Sequence, residues 1–475
     1  MKLKQFAIVL LTAGSLSTAC TKVLDVAPQQ SIDALTAIQT ADDVNQLVIG
    51  SYSLMGTGQL YGTNLFLLPD LLGSDFNAGA AAAARYATWV GTFQGQRQAF
   101  RKQMTRDNSE ASRTWIAAYR TINNANLVLQ NLDKVTDVAE RNRLEGEALL
   151  IRGVMHFELV RLFALPWGAT PNNSQAGVVI QTTASNNKDE AAAAAKPRAT
   201  VAAVYAAVLA DMTAAVGKLP ASNGTRFNAS TAQAYLSRVY LQQGNFAAAR
   251  DAANAVIASG KYSLNASVAA VFSNRNTAES IFEIQQNDQN NAGQSNDGMA
   301  TFYASLPGIG RADVRISNGF YNLYNDNDLR KREWYYLGTG ARPADPANGV
   351  LNRYSGKWKS FSQNLPVIRL AEMYLNRAEC NLRLGTAVGA TPEQDLAQVR
   401  NPIRTNLPSI VNPTLADVLN ERQLELAFEG HRIHDIRRLG GSVGTYAWNA
   451  DILVMPIPAR EVDATSGVIT QNPGY

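Results

Sequence analysis

Residues 231–262, TAQAYLSRVYLQQGNFAAARDAANAVIASGKY, carry the pattern that most restricts how this chain folds. Apolar residues fall at Ala232, Tyr235, Leu236, Val239 and Tyr240, then at Phe246, Ala249, Ala253, Val256 and Ile257. Both runs have the three-and-four spacing of a helix with one buried stripe. Gly244 and Asn245 turn the chain between them, so the helices form an antiparallel hairpin with small residues at the crossing. Composition and spacing match the tetratricopeptide repeat, a unit of about 34 residues. Such a hairpin leaves an apolar face uncovered and becomes stable by stacking on others of its kind.

Other segments supply the partners. Arg369 to Gly385 repeats the first-helix pattern. Helices over about Ser112–Leu132 and Val138–Phe163 read as a degenerate hairpin; the second buries Leu144, Ala148, Ile151, Met155 and Leu159 and stops at Pro166 and Gly168. A polar connection over 169–200, containing DEAAAAAKP, leads to a helix from about Val201 to Leu219. Asp42 or Asp43 is expected to cap an earlier helix that buries Val44, Leu47, Val48 and Tyr52. Gly56 to Gly95 reads as glycine-rich and irregular, with an alanine run at Ala80–Ala84. From Ala266 to Leu365, short apolar pieces alternate with Asn, Gly, Asp and Pro clusters. That stretch is expected to lie over the helical wall and carry the binding loops. The expected scaffold therefore covers about 41–260 and 366–440 of a single domain spanning 41–475. The ligand-facing part covers about 266–365 plus the loops of 56–95.

The N-terminus differs in kind. Lys2 and Lys4 precede an apolar run, Phe6 to Leu11, and small residues lead to LSTAC, ending at Cys20. This is the shape of an export signal over residues 1–19. Small residues before a cysteine suit lipoprotein processing, although Ser17 stands where leucine is usual and Leu16 lies one place back. Acylated Cys20 followed by a tether to residue 40 predicts a lipid-anchored protein. Cys380 is then the only other cysteine, so no intrachain disulfide forms, and it is expected to pack as a small apolar residue. The formal charge is +4, from 43 basic and 39 acidic residues, which gives no surface for gripping a phosphate backbone. Nucleic acid is excluded as a partner.

FEGHRIHDIRR, Phe428 to Arg438, holds two of the chain's three histidines. It belongs to VLNERQLELAFEGHRIHDIRRLG, which reads as one helix. A zinc-protease helix needs histidines four apart with a glutamate beside the first, whereas His431 and His434 are three apart with no acidic residue between them. His156 lies in a distant helix. An internal ion-pair network of Glu421, Arg422, Glu425, Arg432 and Asp435 uses the same residue types and is the expected role. No metal, cofactor or catalytic residue is assigned. Phosphate loops, dinucleotide fingerprints and Cys-x-x-Cys pairs are lacking in the sequence. Carboxylate pairs for sugar hydrolysis assemble in space and leave no fixed spacing, so the sequence leaves that alternative open.

Several separate segments together resemble one family. VLDVAPQ follows the lipoprotein cysteine; EGEALLIRGVMHFELVRLFALPWG resembles a long family helix, with Ala164 in place of a glycine. DNDLRKR resembles an Asp-x-Arg loop, with Asp328 and Arg330 in those places, and LPVIRLAEMYLNRAE, ERQLELAFEGHRIHDIRRLG and MPIPAREVDATSGVITQNPGY follow in family order. On these motifs the chain is similar to SusD/RagB outer-membrane lipoproteins from residue 20 to residue 475. The resemblance implies a mainly α fold. Tetratricopeptide-like hairpins would form a right-handed superhelical wall, with a less regular region laid over it. It also implies a non-enzymatic protein on the cell-surface side of the outer membrane. Such a protein binds oligosaccharides or polysaccharide fragments and passes them to a SusC-like TonB-dependent transporter. Peptide or another nutrient is the alternative cargo; a structural scaffold and a polysaccharide-processing enzyme are the competing classes. In the family pattern His434 occupies an aromatic place, which implies packing rather than ligation. The family's ligand surface comes from loops near the first hairpin and from the irregular half. The expected ligand-binding residues here are Asp75, Asn77, Trp89, Tyr303, Arg311, Trp334 and Tyr335. The alternative for each ring is core packing, and Trp115, Trp167 and Trp358 are assigned to structure.

Overall fold

The computed structural model describes residues 37–475 except 78–85, 188–189, 191–192, 194 and 274. The signal segment, Cys20, most of the tether and the alanine run Ala80–Ala84 lie outside the described residues.

Helix α1 (Ala41–Met55) starts at Thr40, not at an aspartate. Thr40 Oγ1 accepts from Asp43 N at 3.2 Å, while Asp43 Oδ2 accepts from Thr40 N at 2.8 Å. Asp43 completes a capping box from its third position, which is why it looked like the cap. Helix α2 (Asn64–Leu72) corrects the reading of 56–95 as irregular, because all nine of its residues are buried. Pro69 and the flanking glycines hide it from a pattern search. Helix α3 (Gln94–Arg101) follows.

The wall is built from α4 (Ser109–Gln130), α5 (Val138–Phe163), α6 (Val201–Lys218), α7 (Ala229–Gln243), α8 (Phe246–Ala258), α9 (Leu370–Leu384) and α10 (Pro392–Val399), each packed on the next. Helix α1 packs across α4. The result is a solenoid-like stack of helices. Glycine sets one spacing. A Cβ on Gly146 of α5 would lie 2.8 Å from Leu219 Cγ, just past the end of α6. At the α7–α8 turn Gly244 takes φ +71°, where L side chains are strained, and Asn245 caps α8 through Ala248 N. By length and composition α6 is the one helix among the described residues that could cross a membrane. Its apolar stripe, including Val204, Tyr205, Val208 and Met212, is buried in the stack. Cys380 on α9 packs with Leu241 and Ala249.

Two further helices follow, α11 (Leu415–Glu425) and α12 (Arg432–Arg438). The expected single helix over this stretch is broken, with φ of 63° at Phe428 and 78° at Gly430. The break turns the Phe428 ring inward onto Tyr86, centroids 4.3 Å apart. It also sets Gly430 against α2, where a Cβ would meet Leu65 O at 2.7 Å. Pro69, lacking an N–H, leaves that carbonyl without its usual helical donor.

Over the wall lie two sheets. Strands β1 (Ala87–Trp89), β3 (Val314–Ile316), β5 (Arg353–Ser355) and β4 (Tyr335–Leu337) form an antiparallel sheet in that order. Strands β2 (Ser280–Ile284) and β6 (Leu365–Arg369) form a second, and β6 runs directly into α9. Buried charges join these pieces to the wall. Glu425 on α11 receives Arg330 at 3.0 Å, Arg369 at 3.1 Å and Arg404 at 2.6 Å. Arg330 also holds Asp328 and Glu421, Arg369 also holds Glu279 and Glu429, and Lys357 holds Glu429 at 2.6 Å. The expected network is therefore real but differently wired: its cations come from distant segments, and Arg422 pairs with Asp435 at 2.9 Å outside it. Glu425→Gln strands part of three buried cations and is expected to cost about 3–5 kcal/mol in urea unfolding. A loss below about 1 kcal/mol would refute the role given to this carboxylate.

Candidate functional site

Strand alternation decides what the four-stranded sheet offers to solvent. On β4, Tyr335 points inward and Tyr336 outward, opposite Tyr354 of β5. Tyr336 is half-buried, and its hydroxyl accepts from Ser305 N at 2.8 Å. Alternation puts Arg315 of β3 on the same outer face, where it donates to Asn352 Oδ1 at 2.8 Å. Tyr354 itself is roofed, donating to Arg342 O at 3.2 Å. Beside this face, Arg311 donates to Asp313 Oδ2 at 2.9 Å and to Thr92 Oγ1 at 3.1 Å. Its guanidinium lies over the half-buried Phe93 ring, 4.4 Å from the centroid. Arg342 approaches Asp313 Oδ1 at 3.8 Å. Burial raises the Asp313 pKa, and the two arginines oppose that. Half-exposed rings, guanidiniums and hydroxyls thus share one rim.

The four aromatic candidates lie elsewhere than expected. Trp89 is 5% exposed, Tyr303 0%, Trp334 1% and Tyr335 5%. The expectation that these rings offer open stacking faces is corrected. Each is drawn into the junction between the sheets and the wall. Trp89 packs on Phe302 at 5.6 Å; Tyr303 donates to Asp70 Oδ2 at 2.8 Å; Tyr335 shares a hydrogen bond with Tyr324 at 2.8 Å. Trp334 donates to Val268 O at 2.9 Å, with Lys357 Nζ 4.0 Å above its ring. Trp334 still lines, with Phe272, Arg275 and Gln363, the floor of a surface cavity of ≈ 340 Å³. Trp115 and Trp358 are buried, whereas Trp167 is half-buried.

Of the polar candidates, Arg311 reaches the rim just described. Asp75 and Asn77 sit together, Asp75 Oδ1 accepting from Asn77 N at 2.9 Å. They lie by the C-terminal end of α3, where Phe76 meets Phe100, whereas Phe93 precedes its N-terminus. The length of α3, about 12 Å, separates the two groups. The residues that sequence reasoning missed are Tyr336, Phe93 and Arg342. For Tyr336 the signal was available, since a strand period of two puts it on the face opposite Tyr335 and Leu337.

His431 and His434 are both buried, and both are held neutral. Burial is the main cause, and the positive charges of Arg238 near His431 and of Arg161 near His434 add to it. No group of three His, Cys, Asp or Glu side chains suited to a metal occurs among the described residues.

A family profile described as "Starch-binding associating with outer membrane" matches residues 24–241, and the SusD family profile matches 351–452. A SusD-like protein of Formosa agariphila is 25% identical, over 92% of this chain and 93% of its own. A solved SusD superfamily protein from Bacteroides thetaiotaomicron superposes with a TM-score of 0.78 at 27% identity, over 91% of this chain and 100% of the other. A solved putative sugar binding protein from Bacteroides vulgatus gives 0.77 at 27%, over 92% and 99%. The chain belongs to the SusD/RagB family. SusD/RagB proteins are non-catalytic binding proteins of the outer membrane that take part in carbohydrate binding and cooperate with SusC-like transporters.

Asp70, under Tyr303, has its pKa raised to about 8, chiefly by burial, while Tyr303 and Lys357 oppose the rise. The folded state then keeps a proton that the unfolded chain releases near pH 4. This contribution to stability is complete below pH 4 and is lost as pH climbs toward 8. Asp70→Asn, neutral at every pH, should flatten the decline in unfolding free energy between pH 4 and 8 by a few kcal/mol, at about 1.4 kcal/mol per unit. Parallel pH profiles for the two proteins would refute it.

Proposed function

We propose that this protein binds oligosaccharides or polysaccharide fragments on the rim formed by Tyr336, Phe93, Arg311 and Arg342. In this reading it hands them to a SusC-like TonB-dependent transporter, tethered to the outer membrane through acylated Cys20 and facing outward. The observation that carries the proposal is the coexistence, on one exposed rim, of half-buried rings and guanidinium and hydroxyl donors. A pyranose presents C–H groups to an aromatic face and hydroxyls to such donors. The binding partner must release its cargo, and a shallow rim favours rapid dissociation. Family membership supports the sugar class, and the solved relative described as a putative sugar binding protein agrees with it.

A panel of polysaccharides and peptides tested against the protein without its acyl chains checks this. At least one glycan should be retained, and Tyr336→Ala and Arg311→Ala should each weaken it about tenfold, in line with the loss of a ring contact or a charged hydrogen bond. Thermal melts would confirm that both variants fold. Retention of no glycan, together with tight capture of a peptide, would overturn the carbohydrate assignment.

A further inference from the structure

A second cavity lies between α11 and α12, shares no lining residue with the rim, and has a different chemistry. Its volume is ≈ 220 Å³. Leu419, Leu426, Ile436 and Leu439 give it an apolar lining, and Arg422, Arg432, Arg438 and Asp435 give it charge. Three of these charges satisfy one another. Asp435 takes Arg422 at 2.9 Å and Arg438 at 2.6 Å, and Arg438 also holds Glu379. Arg432 is different: it forms no ion pair and no hydrogen bond among the described residues, and its Nε is buried without a partner. The Tyr86 ring lies 5.2 Å from the guanidinium carbon. Asp435 and Asp70 favour this charge only from beyond hydrogen-bond distance, so a partly buried guanidinium facing the cavity keeps unfilled donors that an anion can take.

We propose that this cavity binds a carboxylate carried on a short apolar group, with Arg432 as the anion's partner. The guanidinium supplies paired N–H donors whose spacing matches the two oxygens of a carboxylate. The leucine and isoleucine side chains take the apolar group. The size admits one residue-sized ligand and no polymer. Such a carboxylate could come from a peptide's C-terminal residue or from an acidic sugar, and the probes separate the two.

The test titrates the full-length protein in detergent with N-acetyl-leucine, N-acetyl-leucinamide and glucuronate. The acid should bind and the amide should bind at least tenfold more weakly, the loss expected for a charged hydrogen bond. Arg432→Met should reduce binding of the acid by a similar factor. Glucuronate binding as tightly as N-acetyl-leucine, and lost in Arg432→Met, would support the site and assign its ligand to acidic sugars. Equal affinity for acid and amide, no effect of Arg432→Met, or no binding of any probe would overturn it. Should Arg432→Met fail to fold, Leu439→Asp takes its place. Leu439 is 39% exposed at the cavity, and a carboxylate there should repel the ligand to the same extent. Unchanged binding in that variant would also overturn the site. Neutral-glycan binding at the Tyr336 rim is a separate readout, so either proposal can fail alone.

Discussion

The Glu425 carboxylate is the joint on which the rest of the molecule turns. It accepts from guanidiniums of three distant segments: Arg330 of the loop-rich region, Arg369 at the β6–α9 junction, and Arg404 beyond α10. All of these groups are buried, so each ion has given up its hydration and is stable only while its partners stay in place. Arginine suits this role because its planar fork serves two acceptors at once, as Arg369 does with Glu429 and Glu425. Burial alone would raise the carboxylate pKa values, but the surrounding arginines win and hold Glu425 and Glu429 below the usual range. The network is therefore ionised at neutral pH and acts as a cross-link between the wall and the sheets.

That cross-link explains why the aromatic residues of the loop-rich half are interior. The region has short strands and no helical stack of its own, so its apolar mass must fill the space around the charged joint. Trp334, Trp358 and Phe272 do so directly: Phe272 meets Trp358 at 5.4 Å and Trp334 at 5.8 Å, and Trp358 donates to Phe428 O. Tyr303, Tyr335 and Phe428 continue the cluster toward β1. What remains open to solvent is the outer face of a thin sheet held on a rigid base, where the proposed rim lies. A receptor that delivers cargo to a partner has use for such a surface, firmly placed but shallow.

The helical wall was legible because its signal is local. The hairpin of α7 and α8, the limits of α5, and α6 follow from apolar spacing, a turn glycine and caps within a few residues. Helix α2 was not legible, since Pro69 and nearby glycines argue against a helix that tertiary burial nevertheless enforces. The break at Phe428 was hidden for the opposite reason. The residues around it have good helical spacing, and only packing against Tyr86 and Leu65 O requires the left-handed turn. The network residues Glu421 and Glu425 were recognisable as a charged motif, yet their partners Arg369 and Arg404 belong to other segments. No spacing rule joins Trp334 to Val268, so density of aromatics suggested a surface where the fold makes a core.

The same accounting gives Arg432 its meaning. Arg330, Arg369, Arg404, Arg422 and Arg438 each have a carboxylate within hydrogen-bond distance, and buried Arg437 donates to the Arg161 and Leu453 carbonyls, so each of these guanidiniums has an acceptor. Arg432 is packed among them and backed by Tyr86, and it has none. A purely structural role is met by the apolar part of its side chain, which lies close over Gly73 at the end of α2. A lysine or methionine stem would fill that place as well, without a planar charge turned to an apolar cavity. Asp435 and Asp70 favour the charge only from beyond hydrogen-bond distance, and an anion from outside is the partner that the surrounding chemistry leaves room for.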